Sequence, residues 1–274
     1  MAVAERQPAV QTEGRGWPQR WSALRELAGA ASDEIRRSYR LHGVHRTPDT
    51  LTLQHCLTTP DHLVAQVSGE AGGNPNPREL RARLSVLQQA LALDVIAPLS
   101  LRLMLDGKAP ALTAADIFLL PAGGDRRWHW RETATELDAD SFLTTMADHA
   151  NRWYPVFRQA FGVSPGAYWS SVGLGLGMPF SALYDKAPPA ALCALASEWM
   201  EAFDCDAARF IDWIPARFDG RAFGIPQRRG CCLKYQLPQG GYCGTCGVYR
   251  KERLGALTPA RRAPATPGQW SPAE

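Results

Sequence analysis

The sequence predicts an α+β fold: a mostly helical body with a few short strands, and a small loop-rich cysteine module near the C-terminus. Two observations support this prediction. Apolar residues recur at helical spacing through much of the chain, whereas four of the seven cysteines lie within the sixteen residues from Cys231 to Cys246. With 274 residues, 45% of them apolar, the chain is long enough to bury a sizeable core.

The clearest helix signal begins at Asn76, which is followed by a proline at the first helical position and by Glu79. Leucines and a valine then recur at helical spacing up to Val95. Four further helices are predicted: over residues 32–40 with Ser32 as the cap, from Ser141, from Ser164-Pro165 through Trp169, and over residues 189–203.

Strands are predicted where short apolar runs are bounded by turn residues. Residues 51–56 and 63–67 are short and apolar enough for strands, and residues 117–120 and 128–131 flank a glycine-containing turn, which predicts a β-hairpin. The run Gly173-x-Gly175-x-Gly177 lacks the preceding strand and the third-glycine spacing of a nucleotide-binding motif. We therefore expect a helix end or a close-packing site there.

The domain organisation follows from shifts in composition. Residues 1–16 are polar with proline and glycine, and residues 257–274 contain four prolines, so both ends are predicted to be disordered. Between them we expect a mainly helical body over residues 17–222 and the cysteine module over residues 223–256.

Charge and hydropathy exclude some classes of function. A net charge of +3 is mild, and nucleic-acid binders usually concentrate far more lysine and arginine on one face, so no nucleic-acid partner is expected. No run of eighteen uninterrupted apolar residues occurs, and the first residues lack an apolar signal region. We expect a cytoplasmic protein with no stable membrane insertion, in which clustered cysteines are more typical of metal ligands than of disulfides.

The cysteine motif reads Cys231-Cys232, ten intervening residues, then Cys243-x-x-Cys246. Thiols placed this close are expected to bridge, to bind metal or to do redox chemistry. Neighbouring side chains of an extended chain point to opposite faces, so the adjacent pair converges only if the backbone kinks, which Gly230 would permit. Structural zinc usually takes two separated Cys-x2-4-Cys pairs, whereas an iron–sulfur cluster tolerates a wider footprint. The spacing favours a cluster and leaves zinc and disulfides open.

The segment resembles the C-terminal motif of the FhuF-like ferric siderophore reductases. Paired arginines at 228 and 229, the stretch Tyr235-x-Leu237-Pro238, and Cys243-Gly244-x-Cys246 are similar to the pattern of that family. A weaker resemblance lies at Trp169-Ser170-Ser171, where family members typically have an asparagine in the place of Ser171.

This resemblance implies a cofactor and a reaction. It implies a [2Fe-2S] cluster held by Cys231, Cys232, Cys243 and Cys246, and a one-electron transfer to Fe(III) in a siderophore that releases Fe(II) in the cytoplasm. Hydroxamate-type siderophores fit this reaction, because their hard oxygen donors suit Fe(III) far better than Fe(II). The chain has no convincing flavin or nicotinamide signature, so the electron is expected from a separate donor protein or reductant.

Candidate substrate contacts follow from proximity in sequence to the cysteines. We expect a pocket between the cysteine segment and the helix of Trp169, lined by Trp169, Arg228, Arg229, Lys234, Tyr235 and Tyr242. Cations in this region would raise the potential of a cluster and attract an anionic iron complex or an acidic electron carrier.

Two rival functions fit the same residues. The first is a binding module for siderophores or proteins that four cysteines stabilise around zinc. The second is an iron–sulfur sensor of iron or redox state that regulates a partner.

Overall fold

The computed structural model describes residues 16–45, 50–70, 75–122, 125–218, 220–238 and 240–246. Helices account for more than half of these residues. The α-helices are α1 (Trp17–Leu27), α2 (Ser32–Ser38), α3 (Leu53–Thr58), α4 (Pro60–Glu70), α5 (Pro77–Leu91), α6 (Ala97–Asp106), α7 (Ala139–Gln159), α8 (Pro165–Leu176), α9 (Met178–Ser181) and α10 (Pro189–Glu201). The predicted fold class, a mostly helical α+β body with a C-terminal cysteine segment, is confirmed.

The described strands form three antiparallel pairs. They are β1 (Ala109–Pro110) with β4 (Glu136–Leu137), β2 (Ile117–Ala122) with β3 (Asp125–Trp130), and β5 (Ile211–Phe218) with β6 (Arg221–Arg228). The β2–β3 pair confirms the hairpin predicted around the glycine-containing turn, with Ile117 opposite Trp130.

Two predicted strands are wrong, because residues 51–56 and 63–67 lie mainly in helices α3 and α4. The side chain of Thr52 caps α3 by accepting a hydrogen bond from the backbone N–H of His55. Leu53 and Cys56 are three residues apart, and Leu63 and Val67 are four apart, so each pair buries one helical face. A short apolar run supports either structure, and here the cap and the helical spacing decide it.

The helix predicted from Asn76 is confirmed and is longer than expected. The side chain of Asn76 accepts hydrogen bonds from the N–H groups of Arg78 and Glu79, and α5 runs through a π-helical turn at Ala92–Ile96 into α6. Helix α6 ends before Gly107, whose φ of 75° is the left-handed conformation common after the last turn of a helix. By length and composition Pro77–Asp106 could cross a membrane, but 78% of its most apolar window is buried within the protein, as in a core helix.

Helix α8 lies at the centre of the core and positions the rest of the structure. Ser164 caps it, as predicted, and all its residues from Ala167 to Leu176 are buried. A Cβ on Gly175 would lie 2.6 Å from the carbonyl oxygen of Ala92 in the π-helical turn. The glycine run is therefore a close-packing site, which brings α8 against the long α5–α6 segment.

The β5–β6 hairpin was not expected from the sequence. Pro215, Pro226 and Gly224 lie inside its strands and obscured the alternating pattern, since proline is typical only of edge strands. The dipeptide Asp219-Gly220 between the strands was the signal that could have revealed it. The hairpin contacts α10, and β6 leads directly into the cysteine loop.

The helix predicted over 32–40 is α2, although Ala31 and not Ser32 occupies its cap position. The boundary between residues 222 and 223 stays a prediction, and strand β6 crosses it. Residues 1–15 and 257–274, both within ends predicted to be disordered, lie outside the described residues.

We predict that Asn76→Ala lowers the free energy of unfolding by about 1 kcal/mol, because two N–H groups of α5 lose their acceptor. Urea denaturation measures this change. Asn76→Asp is the matched control, since it keeps an accepting oxygen at the cap and should stay close to the wild-type protein. Equal destabilisation by both substitutions would contradict the assigned cap.

Candidate metal centre

The cysteine loop begins where β6 meets α8. A Cβ on Gly230 would lie 1.9 Å from the carbonyl oxygen of Gly166, so the two backbones touch and only glycine fits at position 230. Next to this contact, the backbone N–H of Arg229 donates to the carbonyl of Phe210 at 2.9 Å. The first two cysteines are thereby fixed against the body of the protein.

Gly230, where a kink was expected, does not have a positive φ, and the residue in the left-handed conformation is Leu233, directly after the cysteine pair. Leu233 has φ of 64°, and it is the one non-glycine residue with positive φ in the described part of the chain. The Leu233 N–H donates to the Cys231 sulfur, at 3.4 Å from N to Sγ. Such strained backbone is found where the surroundings enforce it, often at functional sites.

The second half of the motif is a tight turn that is bonded to β6. The Cys246 N–H donates to the Cys243 carbonyl at 3.0 Å, which closes the turn, and the Arg228 N–H donates to the Thr245 carbonyl at 3.4 Å. The buried side-chain amide of Gln227 donates to the Cys246 carbonyl at 3.3 Å. These bonds place Cys243-x-x-Cys246 beside the Cys231-Cys232 pair.

The sulfur atoms of the two halves are close enough to interact. A hydrogen bond between the Cys232 and Cys243 side chains raises the pKa of Cys232 and lowers that of Cys243 to about 5. Burial raises the pKa of the Cys231 thiol, and the neighbouring Cys246 and Cys243 add to this rise. The fold thus brings all four predicted ligands together.

The four sulfurs differ in burial. Cys232 and Cys246 are each only 2% exposed, whereas Cys231 and Cys243 are partly exposed. Among the described residues, no three His, Cys, Asp or Glu side chains are grouped tightly enough for a single metal ion. A two-iron cluster requires two protein ligands at each iron, which distributes four cysteines over a wider site.

Arg228 occupies an unexpected place. Its side chain is 0% exposed, and its guanidinium donates to Ser170 Oγ at 2.9 Å, Ser171 Oγ at 2.8 Å and the Ala167 carbonyl at 3.1 Å. Trp169 is 3% exposed. Both were predicted to contact substrate, and both predictions are wrong because their burial leaves no surface for a siderophore.

The structure also gives Ser171 a role. At this position, where the resembling family has asparagine, the Ser171 hydroxyl accepts from Arg228 and donates to the Ala167 carbonyl at 2.8 Å. Ser171 is fully buried. It therefore helps to bind an internal cation and does not contact solvent.

Arg229 is half exposed and forms a two-pronged ion pair with Asp212, at 2.6 Å and 3.0 Å. The carboxylate cancels most of its field, so Arg229 adds less positive charge to the surface than the sequence suggested. Arg229 stays a candidate substrate contact because it is exposed, but its guanidinium already donates to Asp212.

Lys234, Tyr235 and Tyr242 are exposed, as a substrate-contacting surface requires. The Tyr235 and Tyr242 rings stack with centroids 5.2 Å apart and an interplanar angle of 12°. This stack links the segment after Cys232 to the residue before Cys243. These three residues stay predictions as substrate contacts.

A cleft lies between the cysteine loop and the start of α5. Between the loop and α8, where a pocket was expected, the backbones of Gly230 and Gly166 are in contact. The cleft has a volume of about 720 Å³ and is lined by Asn76, Arg78, Glu79, Arg81, Leu233, Gln236, Leu237 and Pro238. Another cavity of about 660 Å³, near the β2–β3 hairpin, is lined by no residue of the cysteine loop.

A cysteine quartet that is joined to a helical body and approached by backbone N–H donors is an arrangement expected of sulfur-ligated metal centres, iron–sulfur clusters included. The comparison with protein families agrees, since residues 228–246 match the model described as the FhuF 2Fe-2S C-terminal domain. The cofactor is a [2Fe-2S] cluster, and the zinc alternative is set aside. A comparison with curated proteins found no significant match.

The residues present fit this cofactor. Arg228 Nη1 is buried and has no hydrogen-bond partner, so an unbalanced positive charge lies inside the protein next to the cysteines. Four thiolates and two sulfides outweigh the charge of the iron, which makes the cluster anionic. The N–H groups of Leu233, Lys234 and Thr245 are directed at cysteine sulfurs, as donors around cluster ligands commonly are.

We predict that Gly230→Ala separates the cysteine loop from α8, because its Cβ would overlap the Gly166 carbonyl. Overpacking of this kind typically costs about 1–3 kcal/mol, and here it should also lower the iron content of the purified protein. Gly244→Ala is the matched control, since nothing lies within 4 Å of the added Cβ. Iron and acid-labile sulfide per chain measure the effect, and equal loading of both variants would contradict the contact.

Proposed function

We propose that this protein is a cytoplasmic ferric siderophore reductase in which Cys231, Cys232, Cys243 and Cys246 hold the [2Fe-2S] cluster. One observation supports the proposal most: the fold joins the two halves of a FhuF-type cysteine motif at the edge of a basic cleft. The family match supports a redox role, and the cleft supplies a place for an iron complex.

The bound cluster would supply one electron at a time, and the protein would supply the docking surface. Fe(III) in a siderophore takes up that electron and becomes Fe(II), for which hard hydroxamate oxygens are poor ligands, so the metal is released and the organic ligand stays intact. No acid–base pair or covalent nucleophile is needed. The electron would come from a separate donor protein or reductant.

The cleft at the start of α5 is the proposed docking site. Leu233, Gln236 and Leu237 line it and belong to the loop between Cys232 and Cys243, so an iron complex bound there contacts the same loop that holds two ligands. Arg78 and Arg81 lie on the opposite wall and are exposed. With Lys234 they favour a negatively charged complex.

A stoichiometric experiment tests the reaction. The anaerobic protein is reduced, freed of reductant and mixed with a ferric hydroxamate complex in a stopped-flow instrument. One Fe(II), trapped by a coloured Fe(II) chelator, should form for each cluster that regains its oxidised spectrum. Reoxidation of the protein without any Fe(II) formation, or no reaction at all, would contradict the reductase and leave the sensor function.

The ligand assignment has its own prediction. Cys232→Ser should remove the visible absorption of the cluster and the EPR signal of its reduced form, because a thiolate ligand is lost from a buried position. Helical content measured by circular dichroism should stay close to wild type. Cys205→Ser is the control, since Cys205 lies outside the motif, and it should keep full colour. Full colour in Cys232→Ser would show that this cysteine is not a ligand.

The docking surface is tested by charge reversal. Lys234→Glu should slow the reduction of an anionic ferric complex by about three- to tenfold at low salt, because it inverts an exposed charge beside the cleft. Reduction of a neutral complex should change little, and high salt should diminish the difference. Lys108→Glu, at an exposed site outside the cleft, is the matched control. Equal slowing with both complexes would contradict electrostatic docking at this surface.

A further inference from the structure

Arg228 is a buried cation without a counter-ion among the described residues. Its hydrogen-bond acceptors are two serine hydroxyls and one backbone carbonyl, all neutral, and none of the ion pairs of the described chain includes it. One terminal nitrogen, Nη1, has no hydrogen-bond partner. Buried charges in proteins are normally paired or coordinated, because removal from water strongly disfavours the charged form. Arginine cannot escape this cost by losing its proton.

The negative charge that would balance Arg228 is that of the cysteine sulfurs. The Arg228 guanidinium interacts electrostatically with Cys231, Cys232 and Cys243, so it lies within reach of both halves of the motif. Its own backbone N–H is bonded to Thr245 in the second half of the loop. Three residues after Arg228, the chain reaches Cys231.

We propose that Arg228 is the internal counter-ion of the cluster: a positioning residue that raises the reduction potential and joins cluster loading to the attachment of the cysteine loop on α8. Reduction adds one negative charge next to a fixed buried positive charge, which favours the reduced form. The proposal rests on the four cysteines being the ligands. It does not depend on which molecule accepts the electron.

A comparison with Arg229 shows why we assign the rise in reduction potential to Arg228. Arg229 is the neighbouring residue with the same side chain, but it is half exposed and paired with Asp212 at 2.6 Å. Solvent and the carboxylate both weaken its field at the cluster. The chain therefore offers a matched control, because Asp212→Asn with Arg229→Gln removes a guanidinium one residue away without changing the net charge.

The decisive measurement is the reduction potential of the loaded full-length protein, followed by visible absorption and EPR during an anaerobic titration. Arg228→Gln should lower the equilibrium constant for one-electron reduction at least tenfold, which is about 59 mV. Arg228→Lys, which keeps the charge, and the Asp212→Asn/Arg229→Gln control should each stay within about threefold of wild type. The shift in Arg228→Gln should persist at high salt, because the site is buried.

The proposal would be overturned if Arg228→Gln changed the equilibrium constant for one-electron reduction by less than about threefold, or if the double variant changed it by the same factor. Should Arg228→Gln fail to hold a cluster, Arg228→Lys decides. Loading of the lysine variant with a potential near wild type supports a counter-ion, whereas failure of both variants to load shows that a positive charge at this position is not sufficient and overturns the proposal.

A second readout separates a counter-ion from a merely structural residue. The thermal unfolding midpoint of Arg228→Gln should fall more in the loaded protein than in the apo-protein, since only the loaded form loses a balanced charge pair. Equal falls in both forms would contradict the proposal. None of these measurements includes a siderophore, so failure of the proposed reductase function would leave their outcome unaffected.

Discussion

The contact between the end of β6 and the start of α8 is the constraint on which the functional part of the structure depends. Gly166 and Gly230 let two backbones touch, and the Arg228 side chain enters the serine-lined end of α8 beside that contact. The described residues that follow, including both halves of the cysteine motif, are positioned from this junction. The helical body thus acts as the rigid support for a loop that has little regular structure of its own.

The sequence predicted the parts of this arrangement that have local signals. The cap at Asn76, the restart at Ser164 and the β2–β3 hairpin each depend on residues within a few positions, and all three are found. The cysteine motif favoured a cluster by its spacing, and its resemblance to a known family implied the [2Fe-2S] cofactor. These features could be predicted because their physical causes lie close together along the chain.

The features that were missed have ambiguous local signals or depend on distant contacts. The run over residues 51–56 fits a strand as well as a helix, although the Thr52 cap and the burial of Leu53 and Cys56 on one face favour the helix. The burial of Arg228 depends on α8, nearly sixty positions earlier in the chain. A charged residue that is close to a motif in sequence is expected to be exposed, and only the fold shows that its side chain is buried.

Because two of the four cysteines are buried and two are partly exposed, the cysteine module is open to solvent on one side. Cys232 and Cys246 face the protein interior, while Cys231 and Cys243, one from each half of the motif, are partly open to solvent. The inner side of the module is covered by α8 and by the Arg228 guanidinium, which donates hydrogen bonds to Ser170 and Ser171 of that helix. In the proposed reaction, electrons would therefore enter and leave the cluster through this same outer edge, so an electron donor and an iron complex would take turns there instead of binding together.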